Sequence, residues 1–192
     1  MRKAYVERKT LETDIKLNIQ LDGDGIMQGN SQIGFLDHML VLFSKHGGLS
    51  LNLEAYGDTQ VDGHHTVEDI GLCLGEAYYE ALGDKVGISR YASLVLPMDE
   101  ALVLCAVDIS GRPGLYYEVN FQSEKIGEFD TELIQVFWQA FANTAKMTIH
   151  IRQLAGENSH HVAEAVFKGM GRILKSAVRI DSEELPSSKG VL

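Results

Sequence analysis

Apolar and polar residues alternate through "KAYVERKTLETDIKLNIQLDGDG", residues 3 to 25, in two stretches that end in Gly-rich turn chemistry. A period of two puts alternate side chains on one face of a sheet, so this segment predicts a β-hairpin or meander. "GFLDHMLVLFSKHGG" has helical length and closes on a Gly pair, a helix stop. "LSLNLEAYGD" returns to alternation and predicts a strand. In "HHTVEDIGLCLGEAYYEALGDK" the apolar residues Val67, Ile70, Leu74, Ala77, Tyr78 and Ala81 recur at helical spacing. The order then repeats. "YASLVLPMDEALVLCAVDISG" and "LYYEVNF" read as strands, "DTELIQVFWQAFANTAKM" as a helix, "TIHIRQLAG" as a strand and "NSHHVAEAVFKGMGRILKSAVR" as the last helix.

Strands, a helix, a strand and a His-His helix thus occur twice, which predicts internal duplication. The expected fold is α+β. It comprises two half-domains, each a mostly antiparallel four-stranded sheet with two helices on one face. The half-domains are expected at residues 1–90 and 91–180, packed as one unit, with a tail at 181–192.

The duplicated helices open on "DGHHTVED" and "NSHHVAEA". Neighbouring helical residues are turned about 100° apart, whereas i and i+4 differ by only about 40°. His64 can therefore grip one ion with Glu68, and His160 another with Glu164. His65 and His161 point elsewhere, toward a second ion. If the two helices face each other, the spacing suggests two metals with crossed ligand sets. Asp62 and Asn158 are good N-cap residues. The His pairs then lie in the first turn, whose partial positive charge disfavours imidazolium and keeps the rings neutral for a metal. On a helical wheel the ligands lie off the apolar stripe, facing a surface or interface. Imidazole with carboxylate suits Zn, Mn, Fe or Ni, and the lack of thiolates points to an open catalytic site. His38, in "GFLDHML", is a plausible extra ligand. His46 and His150 carry less, and His150 fits an exposed strand position.

Composition narrows the function class. The 192 residues are 45% hydrophobic, enough for a sizeable core. The formal net charge of −10 offers no basic stripe, against a nucleic-acid partner, and any phosphate site needs its own local bases. No segment is long and apolar enough to suggest a membrane span. The opening residues lack a secretory apolar run. Cys73 and Cys105 sit singly in apolar segments, as expected of a reducing, cytoplasmic compartment.

Together, "GFLDHML", "HHTVEDIG", "PMDEAL", "DISGRP", "NSHHVAEAVFKG" and "PSSKGVL" resemble imidazoleglycerol-phosphate dehydratase of histidine biosynthesis, in order and over nearly the whole chain. The resemblance implies a metal-dependent hydro-lyase that converts imidazole glycerol phosphate to imidazole acetol phosphate. It implies two Mn2+ per active site and a homo-oligomer of twenty-four subunits with sites at subunit contacts. Carried over by residue, one manganese would take His38, His65, His160 and Glu164, and the other His64, Glu68 and His161. Some members have a further His on the helix matching "DTELIQVFW"; here that place is Val136, and His150 is a candidate substitute. Glu12 matches a substrate-contacting Glu and is the expected acid–base, with His46 as a further catalytic candidate. Arg90, Arg112, Ser187, Ser188 and Lys189 match phosphate contacts, and Lys168 is expected to reach the same site.

For this reaction the proton lost is carbon-bound, with no adjacent carbonyl to delocalise charge. The ring itself must take up electrons. Two metals on its nitrogens would hold it as imidazolate and help expel the hydroxyl through a diazafulvene-like intermediate. Two rivals share the ligand types: a dinuclear metallohydrolase of a phosphorylated small molecule, and a metal-stapled storage or assembly protein.

Overall fold

A computed structural model describes residues 2–192. The first sheet is built from β1 (Lys3–Lys9), β2 (Thr13–Gln20), β3 (Met27–Asn30) and β4 (Ser50–Gly57), in the order β1-β2-β4-β3. The second is built from β5 (Tyr91–Met98), β6 (Ala101–Asp108), β7 (Gly114–Glu118) and β10 (Thr148–Ala155), in the order β5-β6-β10-β7. Both sheets are mixed. β3 runs parallel to β4, and β7 runs parallel to β10, while the other pairs are antiparallel. This shared topology bears out the α+β duplication. A short hairpin, β8 (Lys125–Ile126) and β9 (Phe129–Asp130), belongs only to the second half. Neither β3 nor this hairpin shows enough alternation to be read from sequence.

The period-two pattern explains the sheets' inner faces. Ile15, Leu17 and Ile19 of β2, and Val103, Cys105 and Val107 of β6, are buried. Four helices lie against those faces: α1 (Gly34–Gly47), α2 (His64–Leu82), α3 (Glu132–Ala145) and α4 (Ser159–Ala177). The close helix pairs are α2 with α3 and α1 with α4, so each half packs on the other through its helices. Glycine permits the approach. A β-carbon on Gly71 would lie 2.6 Å from the Phe137 carbonyl oxygen, and one on Gly171 would lie 2.6 Å from that of Phe43. Around these crossings Trp138 meets Phe43 edge-on at 5.8 Å and Phe167 at 5.1 Å, joining α1, α3 and α4 in one aromatic core.

The segment leaving the first half is stapled to the chain's end. Ile88 bridges Ile180, and the Gly87 amide donates to the Glu184 carbonyl. Among the described residues, no helix is long and apolar enough to cross a membrane.

Candidate metal centre

The His-His helices start differently. In α4, Asn158 is the N-cap, and its side-chain oxygen accepts from the His160 and His161 amides. In α2 the N-cap is Gly63, and Asp62 sits one residue upstream, accepting from the His64 amide at 2.8 Å. Asp62 thus fastens the first turn without being the cap.

One metal-ligating group forms among the described residues: His38, His160 and Glu164, whose ligand atoms lie within 4.8 Å of one another. His38 Nε2 is 3.1 Å and His160 Nε2 3.2 Å from Glu164 Oε1. The other carboxylate oxygen, Oε2, accepts from Lys168 Nζ at 2.5 Å. Glu164 is only 8% exposed, so this ligand reaches into the packed interior rather than an open surface. Burial alone would raise its carboxyl, but the bonds from Lys168 and His38 prevail and hold it at about 2. α1 supplies His38 and α4 the other two because those helices pack together. Two imidazole nitrogens and a carboxylate fit a borderline divalent ion.

His65, His64, Glu68 and His161 do not join that group within one chain. The His-His helices α2 and α4 are not the close packing partners, so the crossed sets do not assemble in a single copy. Their rings are nonetheless oriented. His65 Nδ1 lies 3.0 Å from Asp58 Oδ2, and His161 Nδ1 lies 2.7 Å from Glu100 Oε2. A carboxylate on Nδ1 fixes the tautomer and leaves Nε2 for a metal. These bonds also raise both imidazoles above the ordinary value, Asp58 acting on His65 and Glu100 on His161. The helix-start field is thus not the strongest influence on these two rings. A full charge about 3 Å away outweighs roughly half a charge spread over the helix end.

Glu12 occupies the β1–β2 turn, exposed, with Oε1 3.8 Å from His65 Nε2. His46 lies in the last turn of α1, half-buried and not among the three grouped ligands; burial first, then Lys168 and Arg172, push it below the ordinary imidazole value. Val136 packs against the core, and His150 stacks on Tyr116 at 4.5 Å on the second sheet.

The tail and two arginines come together elsewhere. Arg90 donates from Nε to Asp108 Oδ1 at 2.8 Å, from Nη2 to Asp108 Oδ2 at 3.3 Å and from Nη1 to the Pro186 carbonyl at 2.7 Å. Three of its five N–H donors are committed and two remain. Arg112 is exposed, 3.8 Å from Asp108 Oδ2. A β-carbon on Gly111 would lie 2.8 Å from the carbonyl carbon of Leu192, so the chain end runs beside Arg112. Ser187 Oγ donates to the Val191 carbonyl at 2.8 Å and curls the tail, leaving Ser188 and Lys189 exposed. A cavity of about 970 Å³ adjoins the metal group, lined by Phe35, His38, Asp62, Phe129 and His160 among others.

Sequence reading missed Asp58, Glu100 and Asp108. Glu100 and Asp108 stand inside motifs quoted for other residues, "PMDEAL" and "DISGRP"; for Asp58 the available signal was a carboxylate shortly before a His-bearing helix start.

The family model described as imidazoleglycerol-phosphate dehydratase matches residues 31–174. The chain is 55% identical over 192 residues to the imidazoleglycerol-phosphate dehydratase of Carboxydothermus hydrogenoformans, covering 100% of both chains. It is 54% identical over 194 residues to that of Oceanobacillus iheyensis, again covering 100% of both. Among solved structures it is similar to the Staphylococcus aureus dehydratase at TM-score 0.85 and 40% identity, covering 93% of this chain and 99% of that one. The Pyrococcus furiosus enzyme aligns at TM-score 0.84 and 41% identity, covering 97% and 100%.

Proposed function

This chain belongs to the imidazoleglycerol-phosphate dehydratase family, and on that premise we propose that it is a metal-dependent hydro-lyase turning imidazole glycerol phosphate into imidazole acetol phosphate. The observation that carries the metal dependence is the convergence of His38, His160 and Glu164 on one point. Two Mn2+ per site would be held by His38, His65, His160 and Glu164, and by His64, Glu68 and His161. When bound, the ions would supply Lewis acidity to the substrate ring.

The chain's own residues do the rest. Glu12, whose carboxylate makes no hydrogen bond among the described residues, takes the carbon-bound proton and returns one to the departing hydroxyl, so that proton and hydroxyl leave as water. Arg112, Lys189, Ser187 and Ser188 hold the phosphate, with the two spare N–H groups of Arg90. Arg90 also anchors residues 181–192 through Pro186. Lys168 holds the outer oxygen of Glu164 so that the inner one faces the imidazoles.

These parts lie at opposite ends of α4. His160 is in its first turn, whereas the Arg90 amide donates to the carbonyl of Ala177, its last residue. A helix of 19 residues is about 28 Å long. The substrate joins ring to phosphate by only a few bonds. A site that grips both ends of it must draw metal ligands and tail from different copies, which supports sites at subunit contacts; the number of twenty-four subunits comes from the family resemblance alone. A cytoplasmic location fits this biosynthetic role.

Metal stoichiometry with particle mass, before and after chelation, tests this reading. Two manganese per chain, a large particle, and substrate consumed without phosphate release are expected. Release of inorganic phosphate, or a fully active monomer, would sink it.

A further inference from the structure

The turn that carries Glu12 is tied to α2 at two points, one helical turn apart. Thr13, only 4% exposed, donates its hydroxyl to Asp69 Oδ2 at 2.5 Å. Asp69, 7% exposed, also accepts from Arg8 Nε at 2.9 Å. Thr10 Oγ1 accepts from the amides of Glu12 and Thr13, at 3.1 and 2.9 Å, and closes the turn. On the other side the Glu12 carbonyl accepts from the Asp58 amide at 3.1 Å. The Asp58 carboxylate then grips His65. His65 and Asp69 are i and i+4 on α2, so the bonds form a closed circuit: His65, Asp58, Glu12, Thr13, Asp69 and back through the helix.

The second half has no such circuit. Counting from its His-His pair, Ala165 stands where Asp69 does, and Ala101 opens β6 as Thr13 opens β2. Burying a carboxylate costs free energy unless it is bonded, so the apolar pair would serve packing alone equally well. The polar version occurs only in the half that bears the proposed acid–base.

We propose that Asp69 and Asp58 are positioning residues that lock the Glu12 turn against His65 and so fix where Glu12 presents its carboxylate. The locking acts through the Thr13 hydroxyl on one side and the Glu12 carbonyl on the other. This rests on the assignment of Glu12 above.

Thr13→Val removes the hydroxyl at nearly constant shape, and Thr13→Ser keeps it. Both would be compared with wild type as the manganese-loaded assembly. In Thr13→Val, kcat should fall about 10- to 100-fold with KM within about threefold and manganese content unchanged, since small misplacements carry penalties of that order. Thr13→Ser should recover most of the loss. In a Glu12→Gln background Thr13→Val should cost little more. Amide hydrogen exchange gives a readout independent of catalysis. The Asp58 and Glu12 amides should exchange faster in Thr13→Val but not in Thr13→Ser.

Unchanged exchange in Thr13→Val overturns the lock, whatever Glu12 does. Faster exchange with unchanged kcat overturns the catalytic consequence. Equal losses in the Val and Ser variants, or penalties that multiply with Glu12→Gln, also overturn it. If Glu12→Gln alone keeps its activity, the acid–base assignment fails instead, and exchange still decides the lock.

Discussion

Glu12 and Glu100 close the first hairpin of their respective halves, each directly before the second strand, yet their surroundings differ. Glu100 is fastened: it orients His161, accepts from the Asn158 amide at 3.0 Å, and is held at about 2 chiefly by the His161 bond. Glu12 is exposed and free, because Asp58, from the β4–α2 loop, orients His65 in its place. The ligand carboxylates diverge the other way. Glu68 is exposed, whereas Glu164 is buried among His38, His160 and Lys168. One duplicated frame therefore carries two tasks. The second half supplies two of the three grouped ligands, His160 and Glu164, completed by His38 of the first half; the first half leaves the carboxylate proposed as acid–base without a hydrogen bond among the described residues. Duplication preserves the backbone frame, while a few loop residues redistribute the charges.

The largest test of this contrast compares Glu12→Gln with Glu100→Gln. Glu12→Gln should lower kcat by about 100- to 10,000-fold at full manganese occupancy. Glu100→Gln should weaken manganese affinity about 10- to 100-fold and recover most of its kcat when manganese is raised. Steady-state kinetics against manganese concentration checks both. If saturating metal rescues Glu12→Gln and fails to rescue Glu100→Gln, the roles are reversed.

The tail sharpens the contrast next, because only the second half carries one. Truncation after Leu185 should raise KM about 10- to 100-fold, the scale of one or two charge-assisted hydrogen bonds, with manganese content unchanged. Kinetics paired with metal analysis of the truncated protein would show it. An unaltered KM removes the tail from the phosphate site.

The smallest effect is on stability in the metal-free protein. Glu164 sits at about 2 against an ordinary 4.5. Its folded value is depressed, so the contribution is complete above pH of about 4.5 and lost as pH falls toward 2. The depression corresponds to about 3 kcal/mol. Near pH 6, Glu164→Gln should lower Tm by roughly 6–12 °C. That gap should narrow as pH drops below about 4. Exposed Glu68→Gln should shift stability by no more than about 0.5 kcal/mol at either pH. Thermal scans of the three proteins across pH measure this, and equal sensitivity of the two Glu variants would erase the difference between the halves.

Residues that face a core or repeat at helical spacing were legible along the chain. Ile15, Leu17 and Ile19, and Val67, Ile70 and Leu74, announce β2 and α2 because burial imposes each element's own period on the sequence. The parallel edge strand β3, MQGN, has too little apolar content to announce itself. Of the proposed first metal set, the chain brought His38, His160 and Glu164 together and left His65 outside. Helical angles relate residues within a helix; they carry no information on which helix lies opposite.

The sequence by itself determined the duplicated α+β plan, the paired His-His helix starts and the family, since these depend on local period and on residue order. Tertiary structure alone decided that α1 packs on α4 and α2 on α3, which carboxylate orients which imidazole, and that the metal group and the tail stand at opposite ends of α4. Those outcomes follow from which side-chain volumes, and which glycines, allow two surfaces to meet. That complementarity belongs to pairs of elements distant in the chain, so no single stretch of it carries the answer.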